Sequence, residues 1–147
     1  MKRCRLSTLF SSLLLSLLSG LLGVATAHAD PRGLWQAEDG AHIRIGLCGQ
    51  ALCATIATPK SPVDPETGAP WTDKHNPDAQ LRGRSLIGVA VLYSMTQDAP
   101  NRWSGALYNV DNGQTYQGHL VELDRNTVRV EGCVIGICGG RNMHRLQ

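Results

Sequence analysis

Aromatic side chains are scarce in this sequence: three tryptophans, three tyrosines and one phenylalanine among 147 residues. The phenylalanine, Phe10, lies in an N-terminal apolar stretch, so the core beyond it must be built mainly from Val, Ile, Leu and Ala. Charge of one sign is lacking as well. Of 14 Lys and Arg, three (Lys2, Arg3 and Arg5) precede residue 30, leaving 11 against 12 Asp and Glu, a balance of −1 with neutral histidines. Without a clustered basic face, neither nucleic acid nor an anionic membrane surface is an expected partner. No long amphipathic helical pattern is present. G-x-S-x-G, the P-loop and H-E-x-x-H are missing, and His42, His75, His119 and His144 show no ligand spacing. "DPETG" lacks the alternating ligands of a calcium loop. The pairs Glu38-Asp39 and Asp64/Glu66 sit in turn-like sequence and are expected to face water. These absences disfavour an enzyme, a cofactor and a resident metal, although a triad assembled from distant residues leaves no local signal.

What is present begins with residues 1–29. A positive start is followed by the uncharged, Leu- and Ser-rich run Leu6 to Val24 and by Ala27-His28-Ala29. This is the layout of a secretory signal peptide cut between Ala29 and Asp30. A membrane anchor is the rival reading; serines dilute the apolar run, and the cleavage signature follows it directly. The expectation is a periplasmic or secreted protein without stable membrane insertion, with residues 30–147 forming a single domain.

Beyond residue 30 the apolar residues alternate or come in short bursts between turn residues. "AHIRIG" and "ALCATIAT" flank a tight "CGQ" turn. "SLIGVAVLYSM" reads as a longer strand from Ser85. "RWSGALYNV" and "QTYQGHLVEL" flank "VDNG", whose Asn-Gly supplies the positive φ angles of a tight hairpin. "TVRVEG", "RNMHRLQ" and the short "GLWQA" bring the number of strands to seven or eight. Such a meander closes into a barrel or folds as a sandwich, because closure removes exposed edges. Residues 58–85, rich in Pro, Asp, Gly and Asn, form a connection far longer than usual. Trp71 and Leu81 argue that it packs. "NPDAQL" predicts a short helical turn capped by Asn76, with Pro77 in its first position.

Four cysteines follow residue 30: Cys48, Cys53, Cys133 and Cys138. An even number in an exported chain reads as disulfides. C-x4-C twice is at the edge of zinc-site spacing, and a thioredoxin-like C-x-x-C is missing. Three pairings are possible. Local pairing, Cys48 with Cys53 and Cys133 with Cys138, suits two hairpins. It would contribute about 2 kcal/mol per ring, against roughly 4 to 5 for a ring spanning the chain.

The residues quoted so far, together with "GLWQAEDG", "IRIGLCGQALCATI", "DPETGAPWTDKHNPDAQLRGRSLIG" and "VRVEGCVIGICGGRNMHR", resemble a bacterial exported family catalogued as domain of unknown function 2147. The resemblance runs from Gly33 to Arg145 and implies an all-β, calycin (lipocalin-like) barrel of about eight antiparallel strands. It implies no activity. Ser85 stands where that family usually has proline, Met143 where it has tryptophan, and His75 is additional.

Candidate ligand residues lie in and beside the long loop: Asp73, Asn76, Arg82 and Arg84, with Tyr108. In the structural alternative, Asn76 caps a turn and Asp73 pairs with one arginine to pin the loop, since a long ordered loop needs such internal bonds. In the binding alternative an arginine meets an anionic group at a barrel mouth. Arg82 and Arg84 are expected to share one face of the strand beginning at Ser85. Trp35 and Trp103 read as core. Two functions remain ahead of an enzyme: a module that binds a small molecule, or an envelope protein that meets a protein partner with a filled barrel. Cavity volume separates them.

Overall fold

In a computed structural model, described over residues 30–147, the alternating segments form eight strands: β1 (Gly33–Ala37), β2 (His42–Cys48), β3 (Ala51–Thr58), β4 (Ala90–Ala99), β5 (Arg102–Asn109), β6 (Gln114–Asp124), β7 (Thr127–Val134) and β8 (Ile137–Arg145). The expected signal segment lies outside the described residues. Each strand pairs antiparallel with the next, and β8 pairs with β1 to close a barrel. Closure satisfies the backbone groups that two edge strands would otherwise present. Among the described residues no helix is long and apolar enough to cross a membrane.

Period-two alternation decides which side chains face inward. Along β5, Trp103, Gly105 and Leu107 point in, and Ser104 and Ala106 point out. Both disulfides are local, Cys48–Cys53 across the β2–β3 turn and Cys133–Cys138 across the β7–β8 turn. The core is densest at the barrel end where β1 begins and β8 ends. There Trp35, Leu120 and Val128 are fully buried, with Met95, Trp103 and Met143 around them. The Trp35 Nε1–H donates to the Pro31 carbonyl at 2.8 Å, and the Arg145 guanidinium lies over the indole 4.2 Å from its centroid.

Three local expectations need correction. β4 starts at Ala90, not Ser85. Leu86 and Val89, both buried, instead tuck the end of the long loop against the barrel; the Leu86 N–H donates to the Trp71 carbonyl. Arg82 and Arg84 therefore stay in the loop and share no strand face. The helical turn is a 3-10 turn, Ala79–Leu81, capped by Asp78, whose carboxylate accepts from the Gln80 N–H. Asn76 acts one turn earlier, its Oδ1 accepting from the Asp78 N–H at 2.9 Å. Asp64 does not face water. It is 3% exposed and accepts from the Lys74 ammonium at 2.8 Å, so the Pro-rich segment carries its own ion pair.

The Asn-Gly hairpin forms with four residues between β5 and β6, and there only Gly113 takes a positive φ, +70°. A Cβ at Gly113 would stand 1.8 Å from the His75 carbonyl oxygen. Glycine is required twice over, by the turn and by the loop packed on it.

One inward residue is out of keeping with its surroundings. Glu122 on β6 is half-buried, but its Oε2 is fully covered and has no hydrogen-bond partner among the described residues. Desolvation raises its pKa, against the opposing pull of Arg145. The folded state then holds a proton more tightly than the unfolded chain. Stability falls as pH rises through the interval between the ordinary and the raised value. Glu122→Gln is expected to raise the thermal midpoint at pH 7 and to leave it unchanged near pH 3, where both states of the wild type are protonated. Thermal unfolding across that range measures it.

Candidate functional site

At the end opposite Trp35 the barrel is not filled. A cavity of about 500 Å³ opens there. Every strand contributes to its wall, from Ala37 and Ile43 on β1 and β2 to Val130 and Met143 on β7 and β8. The void follows from the sequence. Gly132 and Gly139, paired across β7 and β8, lie where other strands carry Ile, Leu or Val, and residues 30–147 include no phenylalanine to fill the space. A Cβ built on Gly132 would make only ordinary contacts, the nearest at 3.8 Å, and one on Gly139 would meet nothing within 4 Å.

The walls are mainly apolar and the rim is polar. Lys60, Asp39, Asp111 and Arg141 stand at the mouth, with the Lys60 ammonium 3.8 Å from Asp111. Trp71 of the long loop forms one side. Its indole N–H donates to Ser61 Oγ at 3.1 Å, and the Lys60 ammonium lies 4.9 Å from the ring centroid. A concave apolar chamber with a few charged groups at one end suits a small molecule with an apolar body and a polar terminus. A second recess, of about 480 Å³, opens beside Pro31, Leu47 and Trp103 at the other end. It shares no lining residue with the first and takes residues from β2 to β5 and the N-terminal segment alone.

The residues singled out from the sequence come together, but next to the cavity. Asp73 is fully buried and accepts four hydrogen bonds. The Tyr108 hydroxyl donates to its Oδ1 at 2.7 Å. Asn76 Nδ2 donates to Oδ2 at 2.8 Å, and Arg84 donates to the same oxygen from Nη2 at 2.8 Å and Nε at 3.1 Å. Burial pulls the Asp73 carboxyl upward, but the bonds from Tyr108, Asn76 and Arg84 outweigh it and hold it below the ordinary carboxylate range. Burial and the Asp73 carboxylate push the Tyr108 hydroxyl up to about 12. Arg82 has no carboxylate partner among the described residues; its Nε donates to the Asn76 carbonyl at 2.8 Å. Tyr108 is the outward residue after Ala106 on β5, and it is buried because residues 73–76 fold over it. The cluster clamps the loop to the barrel wall. Of the five residues, Tyr108 alone also borders the cavity.

Sequence reasoning missed Lys60, Asp111, Arg141 and Gly132, which belong to four different rim segments and carry no common spacing. It also missed one group of metal-ligand type, the single such group among the described residues. His119, Cys133 and Cys138 offer atoms all within 4.8 Å of one another. Both thiols are engaged in the disulfide, so in this state the group has no thiolate to offer a metal.

A family model described as an uncharacterized protein conserved in bacteria (DUF2147) matches residues 33–145. No curated protein matches. Among solved structures, protein HP1028 from the human pathogen Helicobacter pylori, described as belonging to the lipocalin family, is similar with a TM-score of 0.68. Sequence identity is 18%, over 81% of this chain and 84% of that one, a likeness of fold.

Proposed function

The chain belongs to the DUF2147 family of uncharacterised bacterial proteins, and from its part-empty lipocalin-like barrel we propose an exported module that binds a small molecule. The cavity of about 500 Å³, opening at a charged rim, carries this reading. Its size lies in the range of pockets that enclose a compact ligand. The ligand's apolar body would contact Ile43, Leu92, Leu107 and Val130. Its polar end would meet Lys60, Asp111 or Arg141. Tyr108 would contribute wall, and Asp73, Asn76 and Arg84 would hold the loop that presents Trp71. Export is supported by the signal-like residues 1–29 and by the two disulfides.

The test is to fill the chamber without unfolding it. Gly132→Leu places an apolar side chain at the chamber wall, in contact with Tyr116 and Leu107. Native mass spectrometry of protein purified from the periplasm of its own cells is expected to show an added small-molecule mass on the wild type. The added mass should be lost from Gly132→Leu, with an unchanged circular dichroism spectrum. A wild type that carries no added mass, and gains none from a panel of apolar amphiphiles, would sink the proposal. A second reading, a partner protein docking at the rim, is favoured by Ile135 and Ile137, which are 98% and 80% exposed at the β7–β8 tip.

A further inference from the structure

The outer surface of the barrel carries a polar line across five consecutive strands. Asp98 is on β4, Ser104 on β5, His119 on β6, Cys133 on β7 and Cys138 on β8. Arg102 donates twice to Asp98, from Nε at 3.0 Å and Nη2 at 2.9 Å. Ser104 Oγ donates to Asp98 Oδ2 at 2.5 Å and lies 2.7 Å from His119 Nδ1. A serine hydroxyl has one proton. With that proton given to Asp98, the short contact to His119 requires Nδ1–H to donate to Ser104 Oγ. The tautomer is thereby fixed, and the lone pair is left on Nε2. No hydrogen bond occupies Nε2 among the described residues. The imidazole is the member of this line that approaches the Cys133–Cys138 sulfurs. Glu131, directly across from His119 on β7, is engaged by Arg129 at 2.8 Å.

The second disulfide provides an internal contrast. Cys53 and Cys133 are each 8% exposed, while Cys48 and Cys138 are both exposed. Each bridge spans a hairpin turn with a sequence separation of 5. Among the described residues, the grouping of an imidazole with both sulfurs occurs only at Cys133–Cys138.

We propose that Cys133–Cys138 is an exchange-active disulfide that reacts with dithiols, with His119 as its proton shuttle. An incoming thiol gives its proton to His119 Nε2 and attacks the exposed Cys138 Sγ as thiolate. The new S–S bond joins the reagent to Cys138. The Cys133–Cys138 bond breaks, and Cys133 leaves with the electron pair. His119 returns the proton to it, the imidazolium having been supported through Ser104 by Asp98. The reagent's second thiol, its proton taken by the now neutral His119, attacks its own mixed-disulfide sulfur and releases Cys138 as a thiolate, which His119 reprotonates. The protein ends with two thiols and the reagent with a disulfide, a two-electron transfer. Reversed, the same steps reduce a reagent disulfide and restore the Cys133–Cys138 bond. Rates of such steps follow thiolate availability and leaving-group basicity, both of which a neighbouring imidazole alters.

The experiment is timed reduction of the folded, fully oxidised protein by dithiothreitol at pH 7. Acid quenching, alkylation and peptide mass spectrometry then read each disulfide separately in the same molecules. Cys133–Cys138 is expected to open roughly tenfold faster than Cys48–Cys53. His119→Gln is expected to remove most of that difference while leaving the Cys48–Cys53 rate unchanged; general loosening of the barrel would raise both rates together. Ser104→Ala, which keeps the imidazole but frees its tautomer, should fall between. Equal rates in the wild type would overturn the proposal. So would a fast Cys133–Cys138 rate that His119→Gln leaves intact.

Discussion

Asp73→Ala is expected to remove about 3 to 5 kcal/mol of unfolding free energy, read as a lower urea midpoint at unchanged slope. The loss has two parts. The Tyr108 hydroxyl and the Asn76 amide lose their acceptor in a buried place, and Arg84 is left without its carboxylate. Asp73→Asn should be nearly as costly although it keeps the shape. The two bonds from Arg84 and the one from Asn76 converge on Oδ2, where asparagine would present either an amide donor or an uncharged oxygen. Arg84→Ala should cost less, about 1 to 3 kcal/mol, because Arg84 is 41% exposed and Asp73 retains two donors. Arg82→Ala should be nearly neutral. The carboxyl also sets a pH dependence. Its folded pKa lies below its unfolded one, so its contribution is full above the ordinary value and fades as pH falls through the depressed one. Asp73→Asn should lose that part of the acid slope.

Trp35→Ala carries the other large expectation, about 3 to 5 kcal/mol by thermal or urea unfolding. The indole is fully buried, is covered by the Arg145 guanidinium and anchors the chain before β1 through its bond to Pro31. Trp35→Phe should recover part of the packing but neither the N–H bond nor the full ring area. A Trp35→Ala variant that unfolds within 0.5 kcal/mol of wild type, roughly the range of surface substitutions, would mean this end of the barrel is not its structural anchor.

The strands were legible because their physics is local. Ile43 and Ile45 facing in beside Arg44, or Val128 and Val130 beside Arg129, announce a half-buried strand without help from the rest of the chain. The local cysteine pairing was legible for the same reason. Leu86 misled, because an apolar burst reads alike whether it extends a strand or plugs a loop end. Asp64 misled because its partner Lys74 is ten residues away inside irregular chain. The clamp on Asp73 was half legible: one loop brings Asp73, Asn76 and Arg84 together, whereas Tyr108 enters from β5 by tertiary packing. The cavity was a question and not an answer, since a void depends on how eight strands taper around Gly132. The Asp98–Ser104–His119 line needed the cross-strand register, which pairs Ser104 directly with His119.

The order of pairing around the barrel bears on when it can come into being. Seven of the eight ladders join strands adjacent in sequence; six need only a short turn to close, and β3 meets β4 through the long loop. The eighth joins Trp35, Gln36 and Ala37 to Arg145, His144 and Met143. A growing or translocating chain can therefore accumulate hairpins, yet it stays an open sheet until its last residues arrive. Arg145 then bonds the carbonyls of Asp30, Arg32 and Arg125 and covers Trp35, so one side chain latches the first residues of the domain to the last. The slow step of assembly should be this single long loop closure, and a chain stopped before Met143 should remain an unlatched sheet with two reactive borders.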